Sequence, residues 1–221
     1  AERLCQLIRD KNNRQELNVG DHKLSFDQNG QKIILSNDNI NIYNGRKEDI
    51  NLLPRLVAKY RANTSFETHL QAYIVRNIGK GINRSLDNCI LGENPEFEWL
   101  GNEVSCGVGM QRIDVMVSTT QNNQRILLPI ELKSVEADII NTKQIQRYID
   151  WIEQYYTPNR QSDIQPILVS KKIDDKSTEK YQRIIETFTD FNTRNSRRCN
   201  SLKYIEYHLE NDDLVFEVIN Y

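Results

Sequence analysis

Residues 126–133, with the sequence ILLPIELK, form an apolar run that ends in an acid and a base two positions apart. Alternate residues of a β-strand share a face, so Glu131 and Lys133 would project on one side while their apolar neighbours project into the core. Such a strand is buried along most of its length and presents two charged groups at one end. We therefore expect a central strand of a sheet that carries a functional site.

A second strand with one acid precedes this segment. Residues 112–117, RIDVMV, place Asp114 between apolar neighbours, and the polar link 118–124 would close an antiparallel hairpin that brings Asp114 beside Glu131. Two neighbouring carboxylates repel each other and favour a bound cation. Hard oxygen ligands from few side chains, with room for water and phosphate, are typical of magnesium sites. Lys133 would lie beside that ion and hold a phosphate oxygen or the attacking water.

These residues resemble the PD-(D/E)XK nuclease superfamily, whose pattern is an acid on one strand and then an acid, any residue and a lysine on the next. The matching positions are Asp114 and residues 131–133, ELK. Ile113 stands where the superfamily usually has proline before the first acid. The match therefore covers the acids and the lysine of the pattern, without its proline.

Two further motifs lie in the order that the superfamily has. Residues 65–70, SFETHL, resemble the first helix of these folds, which often supplies a third acid, here Glu67. Residues 144–148, QIQRY, match the QhxxY signature on the helix after the lysine, as in RecB-like and NucS-like members. The order and spacing are most similar to the NucS-type nuclease domain. The resemblance covers roughly residues 64 to 173.

The resemblance implies an α/β (α+β) fold with a restriction-endonuclease-like mixed central sheet flanked by helices. It also implies a magnesium-dependent DNA endonuclease that hydrolyses phosphodiester bonds, with Mn²⁺ able to substitute and no nucleotide cofactor. Asp114, Glu131 and Glu67 would hold the metal, and Lys133 would orient or deprotonate the water. Whether cleavage is directed by a sequence, as in restriction enzymes, or by a mismatch or branch stays open.

Other residues are candidates for contacts with phosphate or for support of the site. Gln144 and Tyr148 are neighbours on one helix face, and Arg112 precedes Asp114 by two positions. Residues 194–203 contain the densest basic cluster, predicted as a loop whose Arg197 and Arg198 would contact the DNA backbone. A solvated loop is the alternative for the cluster, and plain core packing is the alternative for Tyr148.

Competing interpretations remain for the site itself. The spacing of Thr64 and Glu67 also fits a capping box, in which Glu67 would satisfy the first turn of a helix. Glu131 and Lys133 could be a surface ion pair of little energetic weight. For the whole chain, the alternative function is a catalytically inactive nuclease-fold module for DNA binding or assembly.

Composition restricts the partners of the protein. The 221 residues carry 29 Lys and Arg against 31 Asp and Glu, so the net charge is −2 and any DNA-binding surface must be local. Four widely spaced cysteines and three histidines argue against a zinc cluster. The sequence shows no signal-peptide pattern and no apolar run long enough to cross a bilayer. We expect a cytoplasmic or nucleoid-associated protein with no membrane partner.

Strand signals dominate the first part of the chain, and helix signals follow. Residues 1–62 predict a small β-rich N-terminal lobe, with a hairpin of 23–26 and 32–35 around Asn29-Gly30 and a third strand at 40–43. Residues 63–221 would form the nuclease domain. A single site of this type cuts one strand, so a break in a duplex favours a homodimer related by a twofold axis.

Periodicity in the larger domain predicts alternating elements. We expect a helix from Thr64, a helix over 139–156, a strand at 166–170, a helix over 178–191, and a final hairpin of 202–209 and 214–219. The strand, helix and strand between residues 126 and 170 imply a parallel pair within a mixed sheet.

Overall fold

The computed structural model describes residues 51–92, 96–107, 111–121 and 123–221, together with the backbone of three short strands between residues 16 and 36. The chain divides into two compact units, residues 1–50 and residues 51–221. A helix at Leu53–Arg61 belongs to the second unit, because Leu56 is buried in that unit's core. The division predicted after residue 62 remains a prediction.

The N-terminal unit contains a three-stranded sheet. Its strands are β1 (Glu16–Val19), β2 (His22–Phe26) and β3 (Ile33–Ser36), in that order and antiparallel. β2 pairs with β3 so that Phe26 lies opposite Ile33, which confirms the predicted hairpin. The strand predicted at residues 40–43 lies outside the described residues.

The second unit is organised around a seven-stranded mixed sheet. Its strands are β4 (Glu96–Ser105), β5 (Arg112–Gln121), β6 (Gln124–Glu136), β7 (Asp163–Ile164), β8 (Ile167–Lys171), β9 (Lys203–Glu210) and β10 (Asp213–Ile219). The order is β10-β9-β8-β6-β5-β4, and β7 pairs with the beginning of β6. β4, β5 and β6 are antiparallel, whereas β6, β8 and β9 are parallel. The predicted mixed central sheet is confirmed.

Five α-helices flank this sheet within the described part of the chain. They are α1 (Leu53–Arg61), α2 (Glu67–Asn77), α3 (Arg84–Ile90), α4 (Asn141–Trp151) and α5 (Glu179–Asn195). A π-helical turn, Ile152–Tyr156, continues α4. No described helix is both long and apolar enough to cross a membrane.

The sheet is covered on both faces because its strands alternate between two apolar cores. Val115 of β5 and Ile130 of β6 pack in the core that contains α1, α2 and α3. Met116 and Leu127, on the same two strands, pack in the core that contains α4 and α5. Adjacent residues therefore enter opposite cores, as a pleated strand requires. This arrangement accounts for the near-continuous apolar sequence of β6.

The helix predicted from Thr178 and the final hairpin are both confirmed in the C-terminal part of the chain. Thr178 is the N-cap of α5, where its side chain accepts a hydrogen bond from the backbone N–H of Tyr181. β9 and β10 form the predicted final hairpin, with Glu210 opposite Asp213. Its two turn residues, Asn211 and Asp212, both have positive φ angles, which a two-residue turn of this kind needs.

Candidate active site

Asp114 and Glu131 lie side by side on neighbouring strands. Val115 of β5 pairs with Ile130 of β6, and the antiparallel register carries Asp114 to the position beside Glu131. The backbone N–H of Leu132 donates a 2.8 Å hydrogen bond to Oδ2 of Asp114. The two carboxyl groups are thus fixed by the pairing of the strands that the sequence predicts.

Glu131 is almost completely buried, with 1% of its surface exposed, and both of its carboxylate oxygens have partners. The phenol of Tyr148 on α4 donates a hydrogen bond to Oε2. Nζ of Lys133 lies 2.6 Å from Oε1. Because each oxygen has a donor or a cation beside it, the buried charge of Glu131 is compensated within the protein.

Glu67 approaches the same lysine from the first turn of α2. Its Oε1 lies 3.9 Å from Nζ of Lys133. The capping-box alternative is not realised, because α2 begins after Phe66 without a side-chain cap and the hydroxyl of Thr64 donates to the backbone oxygen of Lys59. The carboxylate of Glu67 is therefore available to the site.

The electrostatics of the site reflect its crowded negative charge. Burial, and then the charge of Glu131, raise the pKa of Asp114 to about 7. Burial lowers the pKa of Lys133, but the charge and hydrogen bond of Glu131 outweigh it and leave the pKa above its ordinary value. Burial and the nearby Glu131 also raise the pKa of Tyr148. Near neutral pH, Lys133 is therefore an ammonium and Tyr148 is a phenol, whereas Asp114 titrates in this range.

Two residues of the site are absent from the sequence-based prediction. Gln71 lies one helical turn after Glu67 on α2, and its Nε2 donates 2.8 Å hydrogen bonds to the backbone oxygen of Asp114 and to Oε1 of Glu103. Glu103 lies on β4, the strand that pairs with β5. The spacing of four residues from Glu67 was the signal for Gln71, since such residues share a helix face. The sequence has no comparable signal for Glu103.

The two residues of the QhxxY match, Gln144 and Tyr148, have different kinds of contact in the structure. Tyr148 reaches Glu131, so it does more than fill the core. Gln144 accepts a 3.5 Å hydrogen bond from the side chain of Asn141, and within the described residues it makes no hydrogen bond to the acids of the site. Arg112 is exposed and forms an ion pair with Glu103, in which Nη1 lies 3.1 Å from Oε2.

The basic cluster near the C-terminus does not reach the acids. Arg197 and Arg198 line a surface cavity of about 200 Å³ formed by residues 162–164 and 196–200. Ile164, in this cavity, pairs with Leu127, which precedes Glu131 by four residues or about 13 Å of strand. The two arginines therefore lie beside the other end of β6.

Most of these basic residues already contact other residues of the protein. The loop predicted for them is wrong at both ends, where the structure has a helix and a strand. Arg194 lies in the last turn of α5, and Lys203 begins β9. The guanidinium of Arg198 forms ion pairs with Asp150 and Glu153. Nζ of Lys203 donates to a backbone oxygen at 3.2 Å, and burial lowers its pKa. Charge density along the sequence does not reveal these partners.

The acids at the site fit a hard divalent cation that takes few protein ligands. Asp114 and Glu131 supply carboxylate oxygens on adjacent strands, and burial, followed by the charge of Glu131, raises the pKa of Asp114. Within the described residues, no group of three or more His, Cys, Asp or Glu side chains is arranged to hold a metal. Mg²⁺ commonly binds through one or two carboxylates and completes its shell with water and phosphate.

Comparisons with known proteins give a weak structural likeness. No family model matches the chain, and no curated protein matches it. The structure is similar to that of SfsA from Pyrococcus furiosus in complex with Ca²⁺, with a TM-score of 0.38 and 9% sequence identity. The match covers 75% of this chain and 63% of SfsA.

Proposed function

We propose that this protein is a metal-dependent DNA endonuclease that hydrolyses phosphodiester bonds. The observation that supports this best is the position of Lys133 Nζ, 2.6 Å from Glu131 Oε1 and 3.9 Å from Glu67 Oε1. The carboxyl group of Asp114 lies beside this pair. Carboxylates that can hold a divalent ion, next to one ammonium that can hold a phosphate, are the groups that metal-assisted hydrolysis of a phosphodiester needs.

The overall reaction adds one water molecule across a phosphorus–oxygen bond. The water oxygen attacks phosphorus, the bond to the 3′ oxygen breaks, and a proton from the water ends on that oxygen. Lys133 keeps its proton near neutral pH because its pKa is raised. As an ammonium it can donate a hydrogen bond to a phosphate oxygen or to the attacking water.

The proposed ion is Mg²⁺, with Mn²⁺ able to replace it. Asp114 and Glu131 would hold it, and Glu67 would assist from α2. When bound, the ion supplies a Lewis acid that offsets the charge developing on the phosphate and on the leaving oxygen. Tyr148 holds Glu131 by a hydrogen bond and so fixes the direction of one ligand.

The proposed substrate is DNA, and the proposed active form on duplex DNA is a homodimer. One site of this type cuts one strand, so two sites related by a twofold axis would make a double-strand break in one encounter. A DNA substrate would place the protein in the cytoplasm or at the nucleoid. Sedimentation at micromolar concentration, with and without DNA, tests the dimer. A monomer in both conditions that still breaks both strands in one encounter would contradict it.

The decisive experiment is a cleavage assay on supercoiled, mismatched and branched DNA with Mg²⁺, with Mn²⁺ and with a chelator. We expect cleavage with either metal and none with the chelator. The Asp114→Asn variant serves as the control for contaminating nucleases, because it loses a carboxylate and keeps the shape of the side chain. Equal cleavage by the wild type and by this variant would overturn the proposal.

A second candidate is a nuclease-fold module that binds DNA without cutting it. The observation that favours it is that both oxygens of Glu131 already have partners, in Lys133 and Tyr148. This candidate predicts DNA binding that is the same with Mg²⁺ and with chelator, and no cleavage of any of the three substrates. The endonuclease instead predicts cleavage with Mg²⁺ and none with chelator, so cleavage distinguishes the two candidates.

A further inference from the structure

Arg112 and Glu103 form an ion pair at the edge of the candidate active site. Arg112 precedes Asp114 by two residues on β5, and its partner Glu103 is linked through the side chain of Gln71 to the backbone oxygen of Asp114. Nη1 of Arg112 lies 3.1 Å from Oε2 of Glu103, and the side chains are 47% and 40% exposed. A guanidinium in this position can reach the phosphate chain of a nucleic acid that enters the site.

Glu103 occupies a special position on β4. Its neighbours pair with the neighbours of Asp114, since Asn102 lies opposite Val115 and Val104 lies opposite Ile113. Glu103 itself has a φ of 52°, a left-handed conformation that a residue other than glycine rarely adopts within a strand. Such a conformation persists only where surrounding contacts hold it.

Gln71 provides one of the contacts that hold this carboxylate. Its Nε2 donates 2.8 Å hydrogen bonds to Oε1 of Glu103 and to the backbone oxygen of Asp114. Gln71 itself is buried, so the donor of both hydrogen bonds is held within the protein. One oxygen of Glu103 is therefore anchored to the protein, and the other is presented to Arg112. The hydrogen bond from Gln71, followed by that from Arg112, lowers the pKa of Glu103 and keeps it anionic at neutral pH.

The ion pair between Arg112 and Glu103 is weak enough for a phosphate group to replace Glu103 as the partner of Arg112. An ion pair with both partners this exposed contributes little to stability, so releasing Arg112 from Glu103 costs little. A phosphate diester offers the guanidinium the same planar, two-oxygen recognition that a carboxylate does. The carboxylate and the phosphate therefore compete for one cation.

We infer that Glu103 is an internal competitor of the nucleic acid: it holds Arg112 at the edge of the site until a backbone phosphate takes its place. Arg112 is then a phosphate-contacting residue, and Glu103 is a positioning residue that limits the affinity. This inference rests on the proposed function, because it requires that DNA enters the site beside Asp114.

A double-mutant cycle measured by DNA binding tests the exchange. The variants are Glu103→Gln, Arg112→Ala and the combination, and the probe is a short fluorescent DNA duplex in chelator, so that cleavage does not intervene. Glu103→Gln keeps a side-chain oxygen that can accept the hydrogen bond of Gln71. It should bind the duplex more tightly than the wild type, by roughly two- to fivefold, the range that an exposed ion pair is worth.

The other two variants show whether Glu103 changes the affinity for DNA through Arg112. Arg112→Ala should bind more weakly, and the slope of log affinity against log salt should become shallower by about 1, as for the loss of one phosphate contact. In the Arg112→Ala background, Glu103→Gln should bring no gain, because the competitor no longer has a cation to hold. A gain that persists in this background would mean that Glu103 only repels DNA, and would overturn the inference.

A matched control separates this effect from the loss of one negative charge. Glu179 on α5 also forms an exposed ion pair, with Arg183 at 3.6 Å, so Glu179→Gln changes the charge by the same amount away from the site. It should leave the affinity unchanged. If the wild type binds and cuts DNA and all these variants bind alike, the inference is wrong and the proposed function stands. If the wild type neither binds nor cuts DNA, both fail.

Discussion

The phenol of Tyr148 on α4 donates a hydrogen bond to Oε2 of Glu131 on β6, and so ties a helix to the strand that carries the site. Glu131 is 1% exposed, and its other oxygen faces Lys133. A buried carboxylate that loses one of two such partners is left partly uncompensated. The hydrogen bond therefore serves both the stability of the fold and the direction of the carboxylate.

Tyr148→Phe should lower the free energy of unfolding by about 1 to 3 kcal/mol, the cost of leaving a buried acceptor without its donor. It should also slow cleavage, because Glu131 loses the contact that orients it. Urea denaturation followed by circular dichroism measures the first effect. Tyr155→Phe is the control, since Tyr155 follows α4 in the π-helical turn and is 56% exposed. An equal loss of stability in both variants would contradict this role.

Asp114→Asn should abolish cleavage, by at least about a hundredfold, while the fold is retained. The amide matches the carboxyl group in shape and can still accept the hydrogen bond from Leu132 N–H. The measurement is the rate of nicking of supercoiled DNA by purified protein. A circular dichroism spectrum equal to that of the wild type establishes that the variant is folded. Residual cleavage near the wild-type rate would exclude Asp114 from the reaction.

Without divalent metal, the same carboxyl group should make the protein less stable as pH rises from about 4 to about 7. The pKa of Asp114 is raised from 3.8 to about 7 in the folded protein, so in this window the folded state holds a proton that the unfolded state releases. The free energy of unfolding should fall on the order of a few kcal/mol relative to Asp114→Asn. Denaturation of both proteins in chelator across this range checks the sign, and a gap of constant size would refute it.

Lys133→Met should stop cleavage and also destabilise the protein by about 3 kcal/mol, because it leaves the buried Glu131 without its cation. Lys133→Arg should recover most of the stability and little of the activity, since a guanidinium keeps the charge and changes the position of the donors. Thermal unfolding and cleavage assays on both variants separate the two effects. A Lys133→Met variant as stable as the wild type would show that Glu131 does not depend on this ion pair.

The sequence predicts the strands of the site well because their signals are local. The apolar run before Glu131 and the single acid in residues 112–117 each follow strand periodicity, and the hairpin between them fixes the register. Gln71 and Glu103 were not predicted. Spacing alone places Gln71 on the helix face of Glu67, but the contacts that bring both residues to the site join positions far apart along the chain. The left-handed conformation of Glu103 has no signature in the sequence, because glycine or asparagine would be expected there.

Charge was the least reliable guide to the site. Arg198 stands in the densest basic stretch, yet its guanidinium is bound by Asp150 and Glu153, which lie more than forty residues earlier. The opposite case is Glu206, an acid in the alternating segment that predicts β9, which the structure buries completely. In both cases the oppositely charged partner, which for Glu206 is Lys176, lies outside the element that carries the residue, so local periodicity cannot identify it.

The burial of Glu206 leads to a final prediction about the loop between β8 and α5. Its Oε1 accepts hydrogen bonds from the phenol of Tyr204 at 3.0 Å and from the backbone N–H of Ile173 at 3.3 Å. Its Oε2 lies 2.9 Å from Nζ of Lys176, which the loop supplies. A fully buried carboxylate whose second oxygen has this lysine as its cation depends strongly on it.

Lys176→Met should therefore lower the free energy of unfolding by about 3 kcal/mol, the lower end of the cost of unpairing a buried charge, because Lys176 is itself partly exposed. Lys180→Met is the matched control. Its ion pair with Glu136 is similarly short, 2.7 Å, but both side chains are well exposed, so its loss should cost less than about 1 kcal/mol. Adding Glu206→Gln to Lys176→Met should restore part of the stability, because the uncompensated charge is then absent. Equal effects of the two lysine substitutions in urea denaturation would show that burial of Glu206 does not set the strength of its pair.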